Sequence, residues 1–144
     1  MTKDELKRID DKGLAAWDKH DTEGFLSLLA DDFVWYDWTT PQPMRDKKAA
    51  REYFNAWITA FPDLHTTRVS QVIGDDCVAT ELEFEGTNTG PMNMGGQTIP
   101  ATAKKVTGHG DYFARVRDGK IIEFRTHPDI AGMMMQLGMM PTAH

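Results

Sequence analysis

Asp37 is the carboxylate in this sequence that is best placed to transfer protons. It lies among the aromatic residues Trp35, Tyr36 and Trp38, in a segment typical of a β-strand. Burial beside aromatic rings disfavours a charged carboxylate, which would suit Asp37 to act as a general acid or base. Aspartate also commonly ends a strand and caps a turn, here the turn at Thr39-Thr40-Pro41. Both interpretations stay open from the sequence.

A histidine and an aspartate flank Pro128 near the end of the chain. His127 and Asp129 could form an acid/base pair, but two ligands do not make a metal site, so no metal is predicted. Asp129 also has the position of a helix N-cap. Because of the possible acid/base pair, His127 is the second candidate catalytic residue, after Asp37. Its alternative place is on the outer face of a sheet, beside Asp111.

Three methionines suit the mouth of an adaptable apolar pocket, because thioether side chains are flexible. Met92 and Met94 lie in a loop rich in glycine and proline, and Met134 lies in the last predicted helix. The sequence shows no phosphate-binding loop, Ser-His-Asp order or dinucleotide fingerprint. No cofactor is predicted.

The elements that must position these residues run from helices to strands. Apolar residues at helical spacing predict an amphipathic helix over residues 3–19, and later stripes predict three more. Asp21 or Thr22 is the N-cap candidate of the second helix, and the third is predicted to start near Asp46.

A run of aromatic and β-branched residues predicts a strand over 31–38. Alternation of polar and apolar residues predicts strands over 65–73 and 77–86, and one more strand lies on each side of Asp118-Gly119. Helices first and hairpin-linked strands after indicate an α+β fold.

The hairpin at Asp118-Gly119 admits two registers. A type I turn with a glycine bulge is favoured, because it keeps the apolar residues on one face. That register places Tyr112 opposite Thr126 towards the core. On the outer face it places Asp111 beside His127, and also Phe113 and Ile121.

Length and charge restrict the class of protein. The chain of 144 residues has a net charge of −6, which disfavours nucleic acid and anionic membranes as partners. The length predicts a single domain over residues 1–144. The single Cys77 fits a reducing compartment, and no segment is predicted to span a membrane, so a cytoplasmic protein is expected.

The sequence resembles the SnoaL-like polyketide cyclase family of ester cyclases, within the nuclear transport factor 2-like superfamily. The stretches that carry the resemblance are 16–35, 60–64, 86–90, Ile99-Pro100 and 115–138. The most specific is the last, in which DGKI precedes a strand, Pro128-Asp129, a short helix and QLG. The resemblance implies a cone-shaped α+β barrel, in which a curved antiparallel sheet wraps around N-terminal helices and encloses a pocket.

What the resemblance implies about activity is cofactor-free ring closure of a polyketide ester, with a carboxylate on the last strand as acid/base. Thr126 stands where the family has that aspartate, Tyr112 where it has a histidine, and Trp35 where it has a polar pocket residue. Tyr112 and Thr126 could donate hydrogen bonds to a carbonyl or developing oxyanion, or could pair with each other.

Two classes of function stay open. The first is an enzyme that performs acid/base chemistry on a hydrophobic, cyclic or polyketide-type small molecule, with Asp37, Tyr112, Thr126 and His127 as candidate catalytic residues. The second is a binding or scaffold domain without catalysis. In either class a homodimer is expected. The expected pocket residues are Trp35, Trp38, Phe54, Trp57, Leu82, Phe84, Met92, Met94, Phe124 and Met134.

Overall fold

Helices and strands follow one another in the predicted order. The computed structural model describes residues 1–94 and 96–139, except for the side chain of Met94. The elements are α1 (Lys3–Asp18), α2 (Thr22–Leu26), β1 (Leu29–Asp37), α3 (Lys47–Ala60), β2 (His65–Ile73), β3 (Cys77–Thr87), β4 (Met92–Met94), β5 (Gln97–Ile99), β6 (Lys105–Arg117), β7 (Lys120–Pro128) and α4 (Ile130–Gln136). None of the helices in the described part of the chain is long and apolar enough to cross a membrane.

Side-chain caps begin each helix at the residues where the sequence predicts a start. Asp21, Asp46 and Asp129 accept backbone N–H bonds at the first turns of α2, α3 and α4. Thr2 and Glu5 form a reciprocal capping box on α1. The expectation that Asp129 caps the last helix is therefore confirmed.

The main sheet has five strands in the order β1-β7-β6-β3-β2, and it is curved and unclosed. The α+β class is confirmed, but β1 runs parallel to β7, so the sheet is mixed and not purely antiparallel. Its inner face packs on α1, α2 and α3 around a cluster that includes Leu6, Phe25 and Phe54. A second cluster joins the end of α3 to α4 and β3.

Both edges of the main sheet are interrupted. On β1, Trp35 exchanges two backbone hydrogen bonds of 2.8 Å with Met44, a single bridge outside the strands. On β2, the pairing with β3 shifts between Arg68 and Ser70, which marks a bulge. The segment predicted as a loop also forms a small hairpin of β4 and β5, with Gly96 at a φ of +79° in its turn.

In the β6–β7 hairpin, the residue pairs far from the turn are those predicted, but the turn itself differs from the prediction. Tyr112 lies opposite Thr126, as expected. However, Arg117 pairs with Lys120 through a two-residue turn, because Asp118 and Gly119 both take positive φ values of 53° and 78°. The extra residue is taken up within β7, between the Arg115 and Val116 pairings.

This turn corrects the predicted position of Ile121. The residue pairs with Val116 and is buried in the core, so it does not lie on the outer face. The predicted register slipped by one residue at this end because the sequence signal of a glycine bulge and that of a tight turn are the same Asp-Gly pair.

Asn88, the residue that follows β3, links three segments by hydrogen bonds. Its side chain is fully buried and makes four hydrogen bonds. The amide nitrogen donates to the carbonyls of Ala60 and Gly90, and the amide oxygen accepts from the backbone and hydroxyl of Thr102. The end of α3 is thereby joined to the loops on either side of the small hairpin.

We predict that Asn88→Ala lowers the free energy of unfolding by about 2–4 kcal/mol, because it leaves buried backbone groups without partners. Asn93→Ala is the control, since that side chain is exposed and accepts only from Thr98 among the described residues. Urea unfolding followed by circular dichroism measures both. Equal midpoints for the two variants would show that Asn88 does not hold these segments together.

Candidate active site

A row of polar side chains crosses the inner face of the sheet at one level. The strand pairings place Asp37 beside Thr126, Thr126 beside Tyr112, Tyr112 beside Thr80, and Thr80 beside Gln71. These five residues, which we call the polar row, take one position from each strand of the sheet. Cross-strand neighbours on one face lie close enough to interact, so the row forms a continuous polar band beneath the helices.

Asp37 is the member of the polar row on β1, at one edge of the sheet. The residue is 4% exposed and accepts four hydrogen bonds. The backbone N–H of Thr39 donates at 2.9 Å, the Tyr53 hydroxyl donates at 2.6 Å, and the hydroxyls of Thr39 and Thr126 donate as well. Asp37 is therefore buried among aromatic rings, as its acid/base interpretation requires, and it also holds the turn that follows its strand.

Tyr53, in the middle of α3, contacts the Asp37 end of the polar row through the hydrogen bond from its hydroxyl. Burial, and then the charge of Asp37, raise the pKa of Tyr53 well above its usual value. The phenol consequently stays protonated and keeps donating to the carboxylate at neutral pH. The Trp35 indole N–H donates to the Thr126 hydroxyl at 2.9 Å, which fixes the direction of the hydroxyl proton towards Asp37.

A second carboxylate, Asp10, approaches the other end of the row from α1. Its side chain is 3% exposed. It accepts hydrogen bonds of 2.6 Å from Arg68 Nη2 and from Gln71 Nε2, and one from the Tyr112 hydroxyl. Burial, and then the charge of Asp10, raise the pKa of Tyr112 well above its usual value. Tyr112 therefore also stays protonated.

The single hydroxyl protons of Tyr112 and Thr126 are directed to carboxylates. Tyr112 donates to Asp10 and Thr126 donates to Asp37. The two residues face each other as predicted, but their hydroxyls do not hydrogen bond to each other. Each can offer a ligand an acceptor oxygen, and can donate to a ligand only if its carboxylate is protonated or displaced.

An apolar cavity of about 110 Å³ lies between the polar row and α1. A recess of about 310 Å³ lies on the other side of Tyr53 and Trp57, which line both spaces. Thr126 faces the cavity and Thr39 faces the recess, so Asp37 is bonded to hydroxyls on both sides of this shared wall.

Most of the predicted pocket residues line one of the two spaces. The cavity is lined by Trp35, Trp57, Leu82, Phe84 and Phe124, together with Tyr112 and Thr126. Met92 lines the recess. The side chain of Met94 lies outside the described residues.

Four predicted site residues lie elsewhere. Trp38 is 68% exposed and stacks on His127 outside the sheet, where His127 Nδ1 is 3.0 Å from Asp111 Oδ1. His127 thus takes its alternative place on the outer face, because strand alternation turns it away from Thr126. Phe54 is fully buried behind the cavity wall, stacked on Trp17, and Met134 packs in the second cluster.

Sequence analysis missed Asp10 and Tyr53. Asp10 lies four residues after Leu6 and three before Gly13, on the buried face of α1. A charged residue within an apolar helical stripe was the available signal. Tyr53 lies on the apolar face of α3, and its bond to Asp37 joins two separate segments and leaves no local signal in the sequence. Among the described residues, no three His, Cys, Asp or Glu side chains are grouped so as to hold a metal ion.

Many solved structures share this fold, and three of them show the degree of similarity. AclR from Streptomyces galilaeus, described as a candidate hydroxylase, has a TM-score of 0.85 at 23% identity, covering 99% of this chain and 87% of the other. TsrD from Streptomyces laurentii has a TM-score of 0.82 at 21% identity, covering 97% and 99%. IdmH from Streptomyces antibioticus, described as a candidate polyketide cyclase, has a TM-score of 0.77 at 26% identity, covering 92% and 98%.

A search of curated proteins found no match. The sequence does match the family described as SnoaL-like polyketide cyclase over residues 7–137, nearly the whole chain. With the cone of helices and curved sheet that the fold comparisons share, this match shows that the chain belongs to the SnoaL-like polyketide cyclase family.

Proposed function

We propose that this protein binds a flat, largely apolar, polyketide-type molecule in its cavity and moves protons on it without a cofactor. The observation that carries the proposal is the Asp37 carboxylate, which is buried and bonded to hydroxyls that line the cavity and the recess. Buried carboxylates with hydroxyl partners at a cavity wall are typical of acid/base sites.

The size of the spaces supports a ligand that spans both of them. A cavity of about 110 Å³ accommodates about one aromatic ring, since a comparable engineered cavity of ~150 Å³ binds benzene. A molecule of several rings would also have to occupy the recess, and would then pass Tyr53 and Trp57. Its central part would lie beside the hydroxyls bonded to Asp37.

In this proposal, Asp37 has the acid/base role of the aspartate that the family places on the last strand. Thr126 stands at that position on β7, and Asp37 is its partner on the adjacent strand β1. Compared with the family's aspartate, the Asp37 carboxylate lies one strand to the side, and it contacts the cavity only through hydroxyl groups. Because β1 and β7 are hydrogen-bonded neighbours, their backbones lie only about 4.8 Å apart.

The proton path runs through Tyr53. A proton leaves a ligand carbon next to a carbonyl and binds the Tyr53 oxygen, while the phenolic proton passes to Asp37. The products are an enolate, a neutral tyrosine and a protonated Asp37, so charge and protons balance. Thr126 can then turn its hydroxyl proton to the enolate oxygen, because a neutral Asp37 no longer requires that hydrogen bond.

The comparisons support this class of ligand without naming the reaction. IdmH, at 26% identity, is described as a candidate polyketide cyclase. AclR, with a higher TM-score, is described as a candidate hydroxylase. The shared fold therefore fits more than one reaction on related molecules.

A ligand-binding protein without catalysis is the second candidate. It is favoured by the four hydrogen bonds of Asp37, which occupy both of its oxygens. A carboxylate bonded in this way could serve only to hold β1, α3 and β7 together. The experiment below separates the two candidates.

We predict that the protein accelerates hydrogen–deuterium exchange at the carbons next to the carbonyl of 2-tetralone, a two-ring ketone. Asp37→Asn should lower this rate by about 10²–10⁴, the usual contribution of a positioned acid/base group. Proton NMR in D₂O measures the exchange. Asp32→Asn is the control, because Asp32 lies on the same strand but is exposed and pairs with Arg117 on the surface.

The outcomes separate the candidates. Exchange that is lost in Asp37→Asn and kept in Asp32→Asn supports proton transfer. Exchange no faster than in buffer, with the ketone bound, supports the ligand-binding protein. An Asp37→Asn variant with the full wild-type rate would remove Asp37 from the mechanism.

A second prediction tests the cavity as the binding site. Leu82→Trp fills the cavity that Leu82 lines. It should weaken binding of 1,8-dihydroxyanthraquinone, a three-ring dye, by about tenfold or more through loss of contact area. Thr67→Trp is the matched control on the neighbouring strand, because Thr67 is exposed and lines neither the cavity nor the recess. Equilibrium dialysis gives both affinities. Unchanged binding in Leu82→Trp would place the dye elsewhere.

We also propose that the protein is a homodimer through the outer face of the sheet. Val72, Ala79 and Phe113 are cross-strand neighbours there and form an apolar row on three strands. Contiguous apolar residues on a surface favour association with a partner.

Phe113→Asp should convert the dimer to a monomer at micromolar concentration, because it puts a charge into an apolar contact. Sedimentation velocity measures the change. Asn93→Asp, on the small hairpin, should leave the sedimentation coefficient as it is. The same coefficient for Phe113→Asp and wild type would contradict this interface.

A further inference from the structure

We infer that the Asp10 end of the cavity recognises a neutral hydrogen-bond donor, a phenolic or enolic hydroxyl on the ligand. Asp10 and Tyr112 both line the cavity, next to apolar side chains such as Ile9, Leu14 and Phe124. This inference rests on the proposed ligand binding by the cavity, and it adds which chemical group the ligand presents at this end.

The hydrogen bonds of Asp10 leave an acceptor position on one oxygen. Oδ2 accepts from both Arg68 and Gln71, which uses its two lone pairs. Among the described residues, Oδ1 accepts only from the Tyr112 hydroxyl. A carboxylate oxygen has room for a second donor, and because Asp10 lines the cavity, a ligand hydroxyl there can supply it.

The charges around Asp10 select a neutral donor. Arg68 Nη2 is also 2.7 Å from Asp11 Oδ1, and Lys7 Nζ is 2.9 Å from Asp11 Oδ2. The two carboxylates are thus matched by two cations, and the cluster carries no net charge. A cationic ligand group would lose its hydration in an apolar cavity without a net negative charge to offset the loss. A hydroxyl has a far smaller desolvation cost.

The polar row links the Asp10 end of the cavity to Asp37, where proton transfer is proposed. Tyr112, bonded to Asp10, is the cross-strand partner of Thr126, bonded to Asp37. A ligand whose hydroxyl is held at Asp10 extends over Phe124 and Thr126 towards Tyr53. Asp10 would therefore orient the ligand, and Asp37 would act on it.

Phenol and toluene test the inference, because they have the same shape and differ in one hydroxyl. Calorimetric titration gives their dissociation constants. Asp10→Asn should weaken phenol binding about tenfold and change toluene binding less than twofold. The amide would turn its oxygen to Arg68 and Gln71 and its NH₂ group to the cavity, which removes the acceptor. Asp11→Asn, with no place in the cavity lining, should affect neither probe selectively.

Tyr112→Phe provides a second, opposite test that does not alter the carboxylate. It also frees the position on Asp10 Oδ1 that the Tyr112 hydroxyl occupies in wild type, so phenol should bind several-fold more tightly than to wild type, while toluene is unaffected. Phenol should also raise the melting temperature of this variant more than that of wild type. This variant decides the question if Asp10→Asn does not fold.

Each outcome bears on the inference. Equal effects of Asp10→Asn on phenol and toluene, or no gain for phenol with Tyr112→Phe, would show that Asp10 only holds α1 to the sheet. Benzylammonium binding more tightly than phenol would overturn the choice of a neutral donor. Failure of wild type to bind either phenol or toluene would contradict ligand binding by the cavity itself, and the inference with it.

Discussion

The burial of two carboxylates inside an apolar cone is the constraint on which the rest of this structure depends. An aspartate removed from water is tolerated only when hydrogen-bond donors replace its hydration. Asp37 obtains these donors from its own turn, from α3 and from β7, and Asp10 obtains them from β2 and β6. Both sets of bonds bring helices onto the sheet, so the groups that define the site also assemble the fold.

The pairing of β1 with β7 connects this architecture to chemistry. It places Asp37 next to Thr126, a residue that lines the cavity and donates its hydroxyl proton to the carboxylate. In the proposed function, the displacement by one strand from the family's aspartate position means that the carboxylate acts on a ligand through hydroxyl groups and not by direct contact. Such a change leaves the fold intact, because the polar row keeps one member on every strand.

Local sequence signals predicted the elements well and the long-range bonds poorly. The caps Asp21, Asp46 and Asp129 and the change from helical to alternating periodicity are local, and they lie where they were expected. The pairing of Tyr112 with Thr126 could be predicted because a hairpin turn links the two strands.

Apart from the bonds within its own turn, the contacts of Asp37 join residues distant in the chain, as do those of Asp10, and nothing in the sequence near them marks these partners. The Tyr112 hydroxyl, for example, reaches Asp10 across 102 positions. The alternation that turned Trp35 and Asp37 inwards also turned Trp38 outwards. Its inclusion in the pocket was therefore an error that strand periodicity alone could have avoided.

An unclosed sheet leaves two strands with free backbone groups, and their interruptions bear on the colloidal behaviour of the protein. The bridge from Trp35 to Met44 occupies backbone groups of β1, and the bulge between Arg68 and Ser70 breaks the regularity of β2. A foreign strand could not continue a regular ladder along either one. Concentrated solutions should consequently resist edge-to-edge polymerisation into fibres, even though valine side chains are exposed on β2.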